Sequence, residues 1–138
     1  DEVGDIPFER QGLFLRLLQE KRLHLSRTKT RAVTDVRIIA TTQRNLSSMA
    51  DSGKFRKDLL YRLKVVVIDI PPLSKRTGDI PLLVDHFIHQ LNRKFHREVL
   101  GVSGEVMKEL SGRKWPGNVR ELINTLEKAY ILCEEELI

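Results

Sequence analysis

Two arginines, Arg56 and Arg62, lie in the stretch Gly53-Lys54-Phe55-Arg56-Lys57-Asp58-Leu59-Leu60-Tyr61-Arg62-Leu63. Read as a helix at ~100° per residue, it places Phe55, Leu59, Leu60 and Leu63 on one apolar arc. Arg56 falls inside that arc and Arg62 at its edge. A guanidinium stays charged in proteins and is costly to bury unpaired. Arg56 therefore either snorkels to solvent or meets a partner carrying negative charge. Two solvated arginines on an amphipathic helix fit the same spacing.

A third arginine follows Trp115-Pro116-Gly117-Asn118-Val119. Pro116-Gly117 makes a turn, and Asn118 can cap a helix with Glu121 three residues on, as in a capping box. Val119, Leu122, Ile123, Leu126, Tyr130 and Cys133 then form the buried face. Arg120 sits in the first turn, where a cation opposes the helix dipole. That placement makes sense if an anion comes to the helix N-terminus. A plain surface arginine fits as well. His86, His89 and His96 fall near one another on a helix face, but lack an enclosing fourth ligand and read as solvated rather than as a metal site.

The elements that must carry these residues follow from the patterning. Residues 7–20 read as a helix with Pro7 in its first turn and Phe8, Phe14, Leu15 and Leu18 largely on one side. Lys21, Arg22, Arg27, Lys29 and Arg31 read as a basic hairpin or loop. Val36-Arg37-Ile38-Ile39-Ala40-Thr41-Thr42 and Val65-Val66-Val67-Ile68-Asp69-Ile70 read as buried strands, the second stopped by Pro71-Pro72. A short helix is expected over 46–52. Residues 73–78 read as a polar linker. Beyond it only helices are expected, over 79–97, over 103–111 with Ser103 as N-cap, and from Asn118 onward.

The chain has 138 residues, 41% hydrophobic and 31% charged, which suits a soluble globular protein of one domain or two small lobes. It contains no run of ~18 apolar residues, so no membrane span is expected. The single cysteine, Cys133, excludes an internal disulfide framework and a CxxC site and fits a cytoplasmic location. A net charge of +5 allows an anionic partner, nucleotide or nucleic acid, without choosing between them.

The stretch 55–63 resembles the F-R-x-D-L-x-Y-R-L segment of the AAA+ domain of bacterial enhancer-binding proteins, the sigma-54-dependent transcriptional activators. Residues 115–122 match that family's W-P-G-N-V-R-E-L string in every position, and the likeness runs nearly from Asp1 to Ile138 without a large insertion. The resemblance implies that Arg56 and Arg62 are arginine fingers reaching the γ-phosphate of ATP held by a neighbouring subunit. It implies that Arg120 is sensor II, contacting nucleotide phosphate from a helical lid. Asp1 and Glu2 match the acidic pair of the Walker B motif, Asp1 holding Mg²⁺ through water and Glu2 polarising the attacking water. Two carboxylates alone would equally fit a frayed acidic terminus. Gln43 stands where the family has the sensor I asparagine; it keeps the amide and adds a methylene. Ser26-Arg27 stands near the family's Gly-Gly pair in a pore-facing loop.

The fold class implied is α/β, an incomplete AAA+ (P-loop NTPase) module. Residues 1–70 would be the last strands and helices of the α/β lobe, and 71–138 an all-helical lid subdomain. No G-x-x-x-x-G-K-[ST] phosphate loop, no G-A-F-T-G-A loop for gripping the sigma factor and no C-terminal helix-turn-helix is present in these residues. The chain is therefore expected to be part of a longer activator. That activator would assemble into a ring and hydrolyse ATP with Mg²⁺. It would remodel sigma-54 RNA polymerase to open promoter DNA, and bind DNA through a separate domain. The chain by itself is expected to hydrolyse no ATP, and its lid to be better formed than its first half. Two other classes remain open. One is a non-catalytic, AAA+-derived interaction or regulatory module. The other is a basic DNA-binding module using residues 21–37, marked by salt-dependent binding.

Overall fold

The computed structural model describes residues 1–20, 22–23, 32–33, 37–134 and 136–138. It divides into two compact units, Asp1–Ile68 and Asp69–Ile138. Most of the basic stretch, with Lys21, Arg27, Lys29 and Arg31, lies outside the described residues, as does the Ser26-Arg27 pair.

In the first unit a 3-10 turn, Val3–Asp5, leads into α1 (Phe8–Glu20). Two short antiparallel strands follow, β1 (Arg22–Leu23) and β2 (Ala32–Val33), with Arg22 opposite Val33. Then come α2 (Leu46–Asp51) and α3 (Lys57–Leu63). The apolar stripe of α1 works as its spacing predicts: Leu15 and Leu18 are buried with Ala50 of α2, Leu59 of α3 and Phe55 just before α3. Phe8 stands exposed instead. The side chain of Asn45 caps α2, its Oδ1 accepting the Ser48 N–H at 3.0 Å.

The helix expected across 53–63 begins only at Lys57. Gly53, at φ 72°, turns the chain after α2. The Met49 carbonyl then accepts the N–H groups of Lys54 and Phe55 at 2.8 and 3.1 Å. Phe55 is thus buried from the loop side, and Arg56 is the N-cap, with extended backbone, outside the apolar arc rather than in it.

The strands expected at 36–42 and 65–70 also differ. Among the described residues neither run carries a strand ladder; Ile38, Ile39 and Val65 to Ile68 are exposed. A β-branched run is a strand only when a neighbour takes its N–H and C=O groups. Among the described residues the one backbone link of this kind is the Val3 N–H donated to the Thr41 carbonyl at 3.0 Å.

The second unit is helical: α4 (Ile80–Phe95), α5 (Gly104–Gly112) and α6 (Asn118–Leu132), preceded by two 3-10 turns, Leu73–Lys75 and Thr77–Asp79. Ile80, Val84, Ile88 and Leu91 of α4 meet Leu122, Leu126 and Tyr130 of α6 and Trp115 between α5 and α6. The expected linker 73–78 is not merely polar, since Leu73 is fully buried in this core. Ser103 caps α5 as expected, accepting the Val106 N–H at 3.3 Å. Asn92 ties α4 to its neighbours: its amide donates to the Val99 carbonyl at 2.8 Å, and its oxygen accepts the Tyr130 hydroxyl at 2.7 Å.

Candidate functional site

The Val3–Thr41 link sets residues 1–5 against 41–44, and three pairs of polar side chains meet there. Glu2 has φ 50° and ψ 52°, in the left-handed region. Its carboxylate accepts the Gln43 side-chain amide at 2.9 Å and the Gln43 backbone N–H at 3.3 Å. The Thr41 hydroxyl donates to the Asp1 carboxylate. Arg44 pairs with Asp5 at 2.6 Å, both exposed. The approach needs Gly4 to be a glycine: a Cβ there would lie 2.9 Å from the Thr42 hydroxyl and 3.2 Å from Cδ of Arg44. Thus Asp1, Glu2 and Gln43 are brought together, and Thr41 joins them.

Two adjacent carboxylates with a hydroxyl and an amide make a hard-oxygen edge. Mg²⁺ uses one or two carboxylates, waters and substrate phosphates rather than a full protein cage. The exposed Asp1 carboxylate fits that demand. Among the described residues no group of three or more His, Cys, Asp and Glu is placed to hold a metal.

Arg56 and Arg62 occupy the two ends of α3, about 9 Å apart along its axis. The Arg56 side chain is half-exposed and forks onto Asp58, Nε to Oδ1 at 3.0 Å and Nη2 to Oδ2 at 2.7 Å. The hydrogen bond from Arg56 holds the Asp58 carboxyl below its ordinary value, and the same bond raises the Arg56 guanidinium. Asp58 Oδ1 also accepts the Leu59 N–H at 2.8 Å, so one carboxylate serves both the helix start and the guanidinium. Arg62 is exposed in the last turn, where a cation also complements the helix C-terminus.

Arg120 is exposed in the first turn of α6. The cap there differs from the expected box. Glu121 reaches back to the Gly117 N–H at 2.8 Å, while Asn118, at φ 52°, turns its side chain away from the helix. Its Oδ1 accepts the Leu73 N–H at 2.8 Å. A buried donor far along the chain outcompetes the local cap, because an unsatisfied buried N–H is expensive. Trp115 anchors the turn: it is buried and donates Nε1–H to the Leu110 carbonyl at 2.8 Å.

Thr41, Asp58 and Gln11 escape the sequence reading. Asp58 carries a local signal, a carboxylate two residues after Arg56 and in the first helical turn. Thr41 and Gln11 carry none, since the partner of Thr41 and two of the three partners of Gln11 are 40 or more residues away.

Comparison with known proteins adds three findings. The sigma-54 interaction domain family matches residues 1–69, and the AAA+ ATPase lid domain matches residues 74–138. The formate hydrogenlyase transcriptional activator of Salmonella typhimurium is 46% identical over 138 residues, all of this chain and 20% of that protein. The DNA-binding transcriptional regulator NtrC of Azospirillum brasilense is 44% identical over 138 residues, covering 28% of it. The chain thus spans less than a third of the length of these relatives. Among solved structures, NtrX from Brucella abortus in complex with ATP superposes with a TM-score of 0.84 at 39% identity, over 96% of this chain and 31% of that one. The ADP complex of the same protein gives 0.85.

Proposed function

The chain belongs to the sigma-54 interaction domain family and continues into an AAA+ ATPase lid domain, a partial AAA+ module; from this premise we propose that it serves an ATP-hydrolysing transcriptional activator. The activator remodels sigma-54 RNA polymerase so that promoter DNA opens, in the cytoplasm. Residues 1–70 supply the end of the α/β subdomain and 71–138 the lid. The observation that carries the reading is the meeting of Asp1 and Glu2 with Thr41 and Gln43 at one edge of the first unit.

ATP with Mg²⁺ supplies the electrophilic phosphorus and neutralises phosphate charge. Asp1 would hold Mg²⁺ through water. Glu2 accepts a proton from the attacking water, and Gln43 orients that carboxylate and senses the γ-phosphate. Arg56 and Arg62 act in trans, across a ring interface, on the nucleotide of a neighbouring subunit. For Arg56 this means exchanging Asp58 for phosphate oxygens. Arg120 couples the lid to the nucleotide. Sigma-54 and RNA polymerase are the partners, with DNA contacted by another domain.

The test is Arg56→Ala in the full-length protein. The expected fall in kcat is about 10³-fold or more, the scale of an arginine finger, with affinity for a non-hydrolysable ATP analogue nearly unchanged. Equal loss of binding would make Arg56 structural. The chain on its own should not turn ATP over, and robust magnesium-dependent turnover by it would overturn the assignment of phosphate binding to residues outside it.

A further inference from the structure

We infer that Gln11 is a positioning residue for the Arg56 finger. The inference rests on the reading of Arg56 given above and extends it to a residue with no contact to nucleotide. Gln11 is the one fully buried polar side chain among the described residues, at 0% exposed. A primary amide offers two N–H donors and a carbonyl acceptor. Nε2 of Gln11 donates to the Ile6 carbonyl at 2.9 Å and to the Lys54 carbonyl at 3.2 Å. Its Oε1 accepts the Arg56 backbone N–H at 2.8 Å. All three partners lie outside helices, where the backbone has no ladder of its own to hold it.

The consequence is specific to Arg56. Its guanidinium is held by Asp58 on the surface and must leave that carboxylate to reach a phosphate elsewhere. Its backbone is held separately, by a buried amide on α1 that such an excursion leaves undisturbed. The guanidinium also passes over α1 at Gly12, where a Cβ would sit 3.7 Å from Nη1. Gln11 therefore fixes the pivot while the side chain swings. Through Ile6 the same amide reaches the segment just after the Glu2 turn. One side chain thus ties the base of the finger to the strip that carries the catalytic carboxylate.

A double-mutant cycle on kcat in the full-length protein tests this. Gln11→Met keeps the length of the side chain and removes all three hydrogen bonds. It should lower kcat about 10²-fold, the scale of a misplaced catalytic group, with analogue binding unchanged. In an Arg56→Ala background the same substitution should change kcat by less than about two-fold, because its effect passes through the finger. Equal losses from Gln11→Met in both backgrounds would overturn the inference and leave the finger intact. An Arg56→Ala protein with undiminished kcat would instead overturn the finger itself. If Gln11→Met does not fold, amide exchange in the unsubstituted protein decides: the Arg56 N–H should be protected, and exchange at the free-peptide rate would overturn the inference.

Discussion

In residues 69–138 the largest side chains are sealed: Trp115 and Tyr130 are each 1% exposed. In residues 1–68 the longest β-branched run lies open, with Val65 at 79% and Ile68 at 83%. The first unit does have a core, around Phe55 and Leu59, but it is a smaller one. The two units also hold their candidate functional groups differently. Arg120 rides on a helix whose opposite face is packed from Leu122 to Tyr130. Asp1, Glu2 and Gln43 meet through exposed hydrogen bonds beside the Val3–Thr41 backbone link. Surface hydrogen bonds contribute little to stability, whereas a filled core contributes most of it. The contrast teaches that the candidate reactive edge and the larger packed core are separate parts of this chain.

The sharpest way to break the comparison is Trp115→Ala. It removes a buried indole and its bond to Leu110, and should cost the second unit about 3–5 kcal/mol. Amide exchange should show protection falling across 69–138 while α1 and α3 keep theirs. Loss spread evenly over both units would mean that they fold as one.

A smaller effect should follow Asn118→Ala. It strands the buried Leu73 N–H and puts alanine at φ 52°, at a cost of about 1–3 kcal/mol. Asn118→Asp, which keeps the acceptor, should recover most of this in thermal unfolding. No difference between the two would show that the Leu73 bond is immaterial.

The smallest effect is electrostatic and belongs to the first unit. Asp58 is lowered in the folded chain by its bond from Arg56. Its contribution is therefore present above the ordinary aspartate value of about 3.9 and is lost as pH falls through the lower, folded value. The partner shift on Arg56 is upward, so its contribution is complete at any pH below the ordinary arginine value. Carboxyl NMR should place the Asp58 midpoint below that of a free aspartate, and Arg56→Ala should raise it. A midpoint indifferent to Arg56→Ala would detach the pair.

Much of the second unit was legible in the sequence because its signals are local. Ser103 announces a helix start, and the spacing of Leu122, Leu126 and Tyr130 announces a buried face. The buried Leu73 and the swing of Asn118 toward it were not legible, because they join residues 45 apart. In the first unit the β-branched runs 36–42 and 65–70 carry strand propensity, but strand formation depends on a neighbour that no local pattern specifies. The start of α3 was misplaced for a similar reason. Apolar periodicity continues through Phe55, while the Gln11 contact that holds Arg56 extended comes from a distant helix. The chemistry of Asp1, Glu2, Gln43 and the arginines was legible as residue types, and the meeting of Glu2 with Gln43 only in three dimensions.

The central claim, that Arg56 acts on a neighbour's nucleotide, is tested most directly by mixing two inactive full-length variants. Arg56→Ala keeps the hydrolytic carboxylate and lacks the finger; Glu2→Gln lacks the carboxylate and keeps the finger. In mixed rings some Arg56→Ala subunits receive a finger from a Glu2→Gln neighbour, and ATP turnover should rise above that of either variant alone. Co-assembled mixtures that stay as inactive as their components would contradict action in trans.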